Sequence, residues 1–223
     1  MIEIKNLNKI YLKGKKNMVH ALNNINLKID DRETVAIIGE SGAGKSTLLH
    51  IMSCIDNFDG EYYLDNIDIN KLSESKKSKL RSSKIGIVLQ DFALIDDFTV
   101  FENVMTPLYF NKKIKDKKGS VMRALKKTGI ASLKSKKVSQ LSGGQKQRVA
   151  ISRALVTSPE YIFADEPTGS LDSKTSEEIV KMLFDLNRNG ITIVIVTHNL
   201  EIANQCQRVI EIKDGNIIED NCS

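Results

Sequence analysis

The sequence predicts an α/β domain, and three observations carry that prediction. Short strand-like segments alternate with helix-like ones along most of the chain. Two runs, YIFAD (161–165) and ITIVIVT (191–197), are apolar without alternation, as in strands buried on both faces of a parallel sheet. The stretch GESGAGKST (39–47) lies between the strand-like ETVAII and the helix-like LLHIM, pinning a glycine loop between two regular elements.

Taken in order, the strand-like segments are IEIKNL (2–7), HALNNINLKI (20–29), TVAIIG (34–39), EYYLDNIDI (61–69) and KIGIVLQ (84–90). After the two apolar runs come RVIEI (208–212) and NIIE (216–219), joined by Lys213-Asp214-Gly215, a hairpin-turn signal. Helical periodicity follows the glycine loop and returns near 73–82 and in VFENVMTPLYF (100–110). It recurs in DKKGSVMRALKKTG (116–129), GGQKQRVAISRALVT (143–157) and SKTSEEIVKMLFDLNRNG (173–190), where Gly190 fits a C-terminal cap. Strand character is missing from about 91 to 158, which reads as a mainly helical insertion between two halves of one sheet. The expected organisation is therefore a core of 1–90 with 159–223 and an inserted unit of 91–158.

Length and composition fit that picture. The 223 residues, 41% hydrophobic and 27% charged, suit one sizeable domain or a core with one insertion. No apolar stretch approaches the ~20 residues that cross a bilayer, and MIEIKNLNKI lacks a signal-peptide pattern, so a cytoplasmic protein is expected. Cys54, Cys206 and Cys222 form no CxxC pair and read as reduced thiols, and no His pair has metal-ligand spacing. The net charge of +5 is concentrated at 76–84, 112–118 and 134–137. Such runs face nucleic acid or anionic lipid in some proteins and are plain solvated helix faces in others. No aromatics interleave with the lysines as a base-stacking platform requires.

The glycine loop satisfies G-x4-G-K-[S/T] in the setting of strand, loop and helix. Glycines let the backbone curl so that successive N–H groups point into one hollow, and the helix start adds positive potential. Lys45 can then reach outer phosphates, the Ser46 hydroxyl can coordinate Mg²⁺, and Thr47 can donate to an inner phosphate. A purely structural glycine turn would leave a buried Lys45 without a partner. YIFADE ends in Asp165, placed to hold Mg²⁺ directly or through water, and Glu166, placed to polarise an attacking water. In QLSGGQ, Ser142 and Gln145 have capping-box spacing. Gly143 and Gly144 weaken that helix by about 1 kcal/mol each relative to alanine. They expose N–H groups at a positive helix end, which makes a second anion-facing surface.

With these motifs assembled, the sequence resembles the ATP-binding cassette (ABC) ATPases over essentially its whole length. The residues that carry the resemblance are GESGAGKST, Gln90 after IVLQ, LSGGQ (141–145), YIFADE, the SLD turn (170–172) and His198 in VTHN, in the family's order. The resemblance implies a P-loop NTPase fold: a RecA-like mixed-sheet core, an antiparallel β subdomain and an inserted α-helical subdomain. It implies ATP and Mg²⁺ as cofactors. Gly39, Ser41, Gly42, Ala43, Gly44, Lys45, Ser46 and Thr47 would hold the phosphates, with Ser46, Gln90 and Asp165 on the metal. Tyr11 resembles the aromatic that stacks on adenine, and an aromatic in an early strand is equally a packing residue. Glu166, His198, Gln90 and Lys45 would be catalytic. Ser142, Gly143, Gly144 and Gln145 would meet the γ-phosphate of ATP held by a second protomer, and Asp172 would lie across the dimer seam. A two-fold axis would then enclose two ATPs in a homodimer. The segments QDFALIDDFTVFENVMTPLYF and EPTGSLDSKTSEEI look like the subgroup of lipoprotein-release, macrolide-export and antimicrobial-peptide export or resistance ATPases. That implies a separate integral membrane permease as partner, no nucleic acid, and a peripheral place on the inner face of the cell membrane; the alternative, which the charge of +5 supports, is a soluble ABC ATPase acting on the ribosome or nucleic acid.

Overall fold

The computed structural model describes residues 1–12, 14, 17–111 and 113–222; Lys112, which opens the basic run at 112–118, lies outside them. The chain divides into two compact units, 1–78 with 192–223 and 79–191.

The first unit holds an antiparallel sheet in the order β2-β1-β4-β5, made of β1 (Ile2–Tyr11), β2 (Val19–Ile29), β4 (Asp59–Leu64) and β5 (Ile67–Asp68). Ile2, Ile4 and Leu7 of β1 are buried, and register shifts follow Ile4 and Leu7. The loosened backbone there is tied by asparagines: Asn6 N donates to Asn26 Oδ1 at 3.0 Å and Asn24 N to Asn8 Oδ1 at 2.9 Å. The sequence reads EYYLDNIDI as one strand, and the structure breaks it. Asp65 and Asn66 both adopt left-handed backbone (φ 51° and 62°), making a two-residue hairpin turn that folds Ile67 back onto Leu64.

The same unit holds β3 (Thr34–Ile38), which pairs in parallel with β8 (Thr192–Val196) and β9 (Arg208–Lys213). β10 (Asn216–Cys222) runs antiparallel to β9. Their turn is Asp214-Gly215 (φ 48° and 77°), as the Asp-Gly pair predicts. The arrangement is a mixed sheet, and every residue of β8 is buried, which explains the absence of alternation in its sequence. Arg208 fastens the outer strands, with its guanidinium on Asp220 at 2.6 and 2.7 Å and on the Lys28 carbonyl at 2.7 Å.

The boundary between units falls within helix α2 (Glu74–Lys84). In the second unit β6 (Ile85–Val88) pairs in parallel with β7 (Tyr161–Asp165). Between them come α3 (Val100–Phe110), α4 (Lys117–Lys127), two short 3-10 turns and α5 (Gly143–Leu155). α3 opens with a capping box of Thr99 and Glu102. Pro107 lacks the N–H that the Asn103 carbonyl would accept, and the Thr106 hydroxyl donates to that carbonyl instead. Helix α6 (Ser173–Arg188) buries Ile179, Val180, Leu183 and Leu186, one helical face. It stops where Gly190 turns left-handed (φ 94°), with Gly190 N on the Asn187 carbonyl at 2.7 Å. Among the described residues no helix is long and apolar enough to cross a membrane.

Leu183 is fully buried. Leu183→Ala is expected to cost about 2–5 kcal/mol through lost transfer energy and the residual cavity, read as an earlier midpoint in urea denaturation.

Candidate functional site

In the first unit β3 delivers the chain into the glycine loop, and α1 (Lys45–Met52) takes it away. Gly39 (φ 145°) and Gly44 (φ 106°) use backbone that L side chains rarely adopt. A Cβ on Gly39 would overlap the Ile212 carbonyl oxygen of β9, and one on Gly44 would overlap the Ala21 carbonyl oxygen of β2. Glycine is required here twice over, for conformation and for space. Lys45 is half-buried, not buried as the sequence suggests, and it has partners: Nζ donates to the Gly39 carbonyl at 2.9 Å and the Glu40 carbonyl at 2.8 Å. The loop's own backbone thus holds the ammonium over the curl that its glycines create.

Tyr11 ends β1 next to this loop. Its hydroxyl donates to Asp56 Oδ2 at 2.7 Å and is also hydrogen bonded to the Thr47 side chain. The Lys9 ammonium lies 4.7 Å from the ring centroid. Burial, then the Asp56 carboxylate, holds the phenol above its usual range. Tyr11 therefore has packing partners of its own and still keeps 36% of its surface exposed. The β3–β8 register sets Ile37 beside Val196, so Gly39 and His198, each two residues further on, leave the sheet at the same end. His198 is exposed, and its neighbour Asn199 caps the short helix α7 (Leu200–Ala203), accepting from Glu201 N at 2.8 Å.

In the second unit the parallel register sets Val88 beside Ala164, so Gln90 and the pair Asp165-Glu166 also emerge at one end. A Cβ on Gly169 would lie 3.5 Å from Gln90 Nε2 and 3.6 Å from Glu166 Cβ, which puts all three residues around one point. Glu166 has left-handed backbone (φ 44°), a strained conformation for a side-chain-bearing residue. Part of what holds this turn is Gln147 of α5, fully buried, whose Nε2 donates to the Pro167 carbonyl at 2.6 Å. The loop after Gln90 is also clamped. Arg153 donates to the carbonyls of Phe92 (2.8 Å) and Ala93, and burial pulls its pKa below the usual arginine range. Buried Asn103 accepts from Ile95 N at 2.8 Å and donates to the Ile95 carbonyl at 3.0 Å. The sequence reading missed Gln147, Arg153 and Asn103. The available signal was a polar residue on an otherwise apolar helix face.

The Ser142–Gln145 capping box is present: Gln145 N donates to Ser142 Oγ at 3.4 Å and Ser142 N to Gln145 Oε1 at 3.2 Å. The first N–H groups of a helix have no acceptor within it, and Gly143 and Gly144 keep side chains away from them. Close packing gives a second reason for glycine, since a Cβ on Gly144 would come within 2.5 Å of Thr175 Cγ2 on α6. Asp172 has a local task beside any dimer role. It caps α6, accepting from Thr175 N at 3.0 Å and from the Thr175 hydroxyl at 2.6 Å. The hydroxyl, then the backbone N–H, holds its carboxyl below the usual range. Cys54 and Cys206 are buried free thiols, and burial pushes Cys206 up to about 12, so it is chemically quiet.

Residues 22–169 match the family model for ABC transporters. The chain belongs to the ABC transporter family. Among its relatives is the macrolide export ATP-binding/permease protein MacB of Mannheimia succiniciproducens, 45% identical over 222 residues, 99% of this chain and 34% of MacB. The ABC transporter ATP-binding protein MJ0796 of Methanocaldococcus jannaschii is 46% identical over 224 residues, 97% of this chain and 95% of its own. The chain thus spans about a third of MacB and nearly all of MJ0796. A solved dimer of the MJ0796 cassette in a post-hydrolysis state, bound to ADP and Pi, superimposes with a TM-score of 0.91 at 42% identity, covering 100% of this chain and 98% of that one. This ABC chain therefore carries the family's ATP-binding fold.

Gly39→Ala is expected to distort the loop of this ABC cassette and abolish measurable ATP binding in a fluorescent-nucleotide titration. Affinity within twofold of wild type would show that the loop does not hold the phosphates.

Proposed function

We propose that this chain is the ATP-hydrolysing subunit of an ABC transporter, in which ATP closes a homodimer and hydrolysis reopens it to drive a separate membrane permease. The observation that carries this reading is the presence of two backbone surfaces suited to phosphate in one chain. One is the glycine loop with Lys45 lashed to its carbonyls; the other is the capped SGG start of α5. One triphosphate needs only the first. The second finds a ligand when another copy presents its own nucleotide across a two-fold axis. The capture of the MJ0796 cassette as a dimer with ADP and Pi supports the same cycle here.

Each residue then has a chemical task. The loop N–H groups and Lys45 neutralise the β- and γ-phosphates, Thr47 donates to an inner phosphate, and Tyr11 stacks on adenine. Glu166 orients a water and takes its proton as the water oxygen bonds to the γ-phosphorus and the bond to the β–γ bridging oxygen breaks. His198 steadies that water and the γ-phosphate; ADP and phosphate leave. The hydroxyl of Ser46, the amide oxygen of Gln90 and the carboxylate of Asp165 are hard oxygen donors of the kind Mg²⁺ prefers. Among the described residues no group of three His, Cys, Asp or Glu side chains could hold a metal. When bound, Mg²⁺ supplies charge neutralisation for the transferring phosphoryl group. Opening follows because the γ-phosphate contacts that closed the dimer are gone.

The likeness to MacB supports an export or resistance role directed at peptides, lipoproteins or antibiotics, and a peripheral site on the inner face of the cell membrane held through the permease. Residues 91–158, which hold α3, α4 and α5, are proposed as the helical subdomain that receives the permease, with 1–90 and 159–223 as the ATP-binding core.

Glu166→Gln is expected to slow hydrolysis by about 10²–10⁴-fold and to accumulate an ATP-bound dimer in size-exclusion chromatography; unchanged turnover would refute the assignment of the base. Ser142→Arg should leave ATP binding to the monomer intact while preventing dimer formation. Loss of nucleotide binding in that variant would contradict the two-surface reading.

A further inference from the structure

We propose that the corner between α3 and α4 is a docking surface for an anionic lipid bilayer, by which this subunit touches the membrane directly, in addition to its attachment through the permease. Tyr109 and Phe110, which end α3, are 64% and 73% exposed, more than any other large apolar side chain among the described residues. Five of the ten residues 109–118 are lysines, and Asp116 is the single acid among them. Lys113, Lys115 and Lys118 are exposed, and no ion pair joins Lys113, Lys115, Lys117 or Lys118 to a carboxylate among the described residues. Asp116 is already engaged, accepting from Gly119 N at 2.9 Å and from Arg123 Nη1 at 3.2 Å. The positive charge of the corner is therefore locally uncompensated.

The corner is also built rather than loose. Asn111 is buried, donates to the Ser82 carbonyl at 2.8 Å and accepts from Lys113 N at 3.1 Å. Asp116 caps α4 just beyond. These ties fix the chain at Asn111 and at the start of α4. The Lys117 ammonium lies 5.7 Å from the centroid of the Tyr109 ring, eight positions earlier in the sequence. Amphipathic rings beside long cationic side chains suit the headgroup region of a bilayer, where rings enter the acyl boundary and ammonium groups stay with phosphates. RNA is the weaker match. A base would need an open ring face, and the Lys117 ammonium stands over the face of Tyr109.

This surface lies outside the nucleotide-site residues, so its test is independent of the ATPase reading. The full chain, without nucleotide, is sedimented with vesicles of phosphatidylcholine alone and of phosphatidylcholine mixed with phosphatidylglycerol. Binding is expected to the mixed vesicles only and to weaken as salt rises. Lys113→Gln and Lys115→Gln should each lower the partition coefficient by about fivefold. The double substitution Tyr109→Ser with Phe110→Ser should lower it further while ATP binding, which reports correct folding, stays at the wild-type level. The proposal is overturned if wild type ignores the mixed vesicles, binds both kinds equally, or binds single-stranded RNA but not the mixed vesicles. It also fails if the folded variants bind as wild type does.

Discussion

The Lys45 ammonium rests on the carbonyls of Gly39 and Glu40, and that interaction sets the terms for the rest of the molecule. A cation held by its own loop requires the loop to curl, the curl requires positive φ, and the neighbouring carbonyls of Ile212 and Ala21 leave no room for a Cβ. The strands that crowd the loop thus shape the proposed phosphate site, although no atom of theirs need touch a phosphate. The buried β3 and β8 give the loop a rigid floor, and the hairpin of β9 and β10 carries the carbonyl that enforces glycine at position 39. Preorganisation of this kind lets fixed backbone dipoles act on a phosphoryl group without rearranging during the reaction.

The second unit solves a different problem with different means. The residues proposed for chemistry, Gln90 and Glu166, sit on turns just past strand ends, where backbone hydrogen bonding to the sheet has stopped. Buried polar side chains on the helices take over: Asn103 of α3, then Gln147 and Arg153 of α5, each reach a main-chain carbonyl or N–H of one of those turns. Because α5 also begins at the SGG segment, displacement of that helix by a ligand at its start would be felt at both turns. A shared helix with hydrogen bonds to two loops is a physical route for coupling partner engagement to the residues proposed for hydrolysis. Asp172 adds a further link, since it caps α6 while Thr175, its partner, packs against Gly144.

Much of this was legible in the sequence because it rests on short-range rules. The glycine spacing, the Ser142–Gln145 box, the Asp214-Gly215 turn and the unalternating strands each depend on residue types within a few positions, and the structure shows all four. The reading of 61–69 as one strand failed on a local point: Asp65 and Asn66 both tolerate left-handed backbone, and side-chain hydrophobicity carries no record of that. The expectation of a buried Lys45 also failed, since a loop residue at a helix start stays half-open to solvent.

By itself the sequence determined which chemistry this chain carries, since phosphate binding follows from residue types at fixed close spacing and from the strand and helix that flank them. Only the tertiary structure decided which polar side chains hold the turns at Gln90 and Glu166, why backbone carbonyls leave no room for a Cβ at 39 and 44, and that Lys117 meets the ring of Tyr109. Those outcomes depend on contacts chosen by packing, and one-dimensional spacing holds no measure of the space that packing leaves.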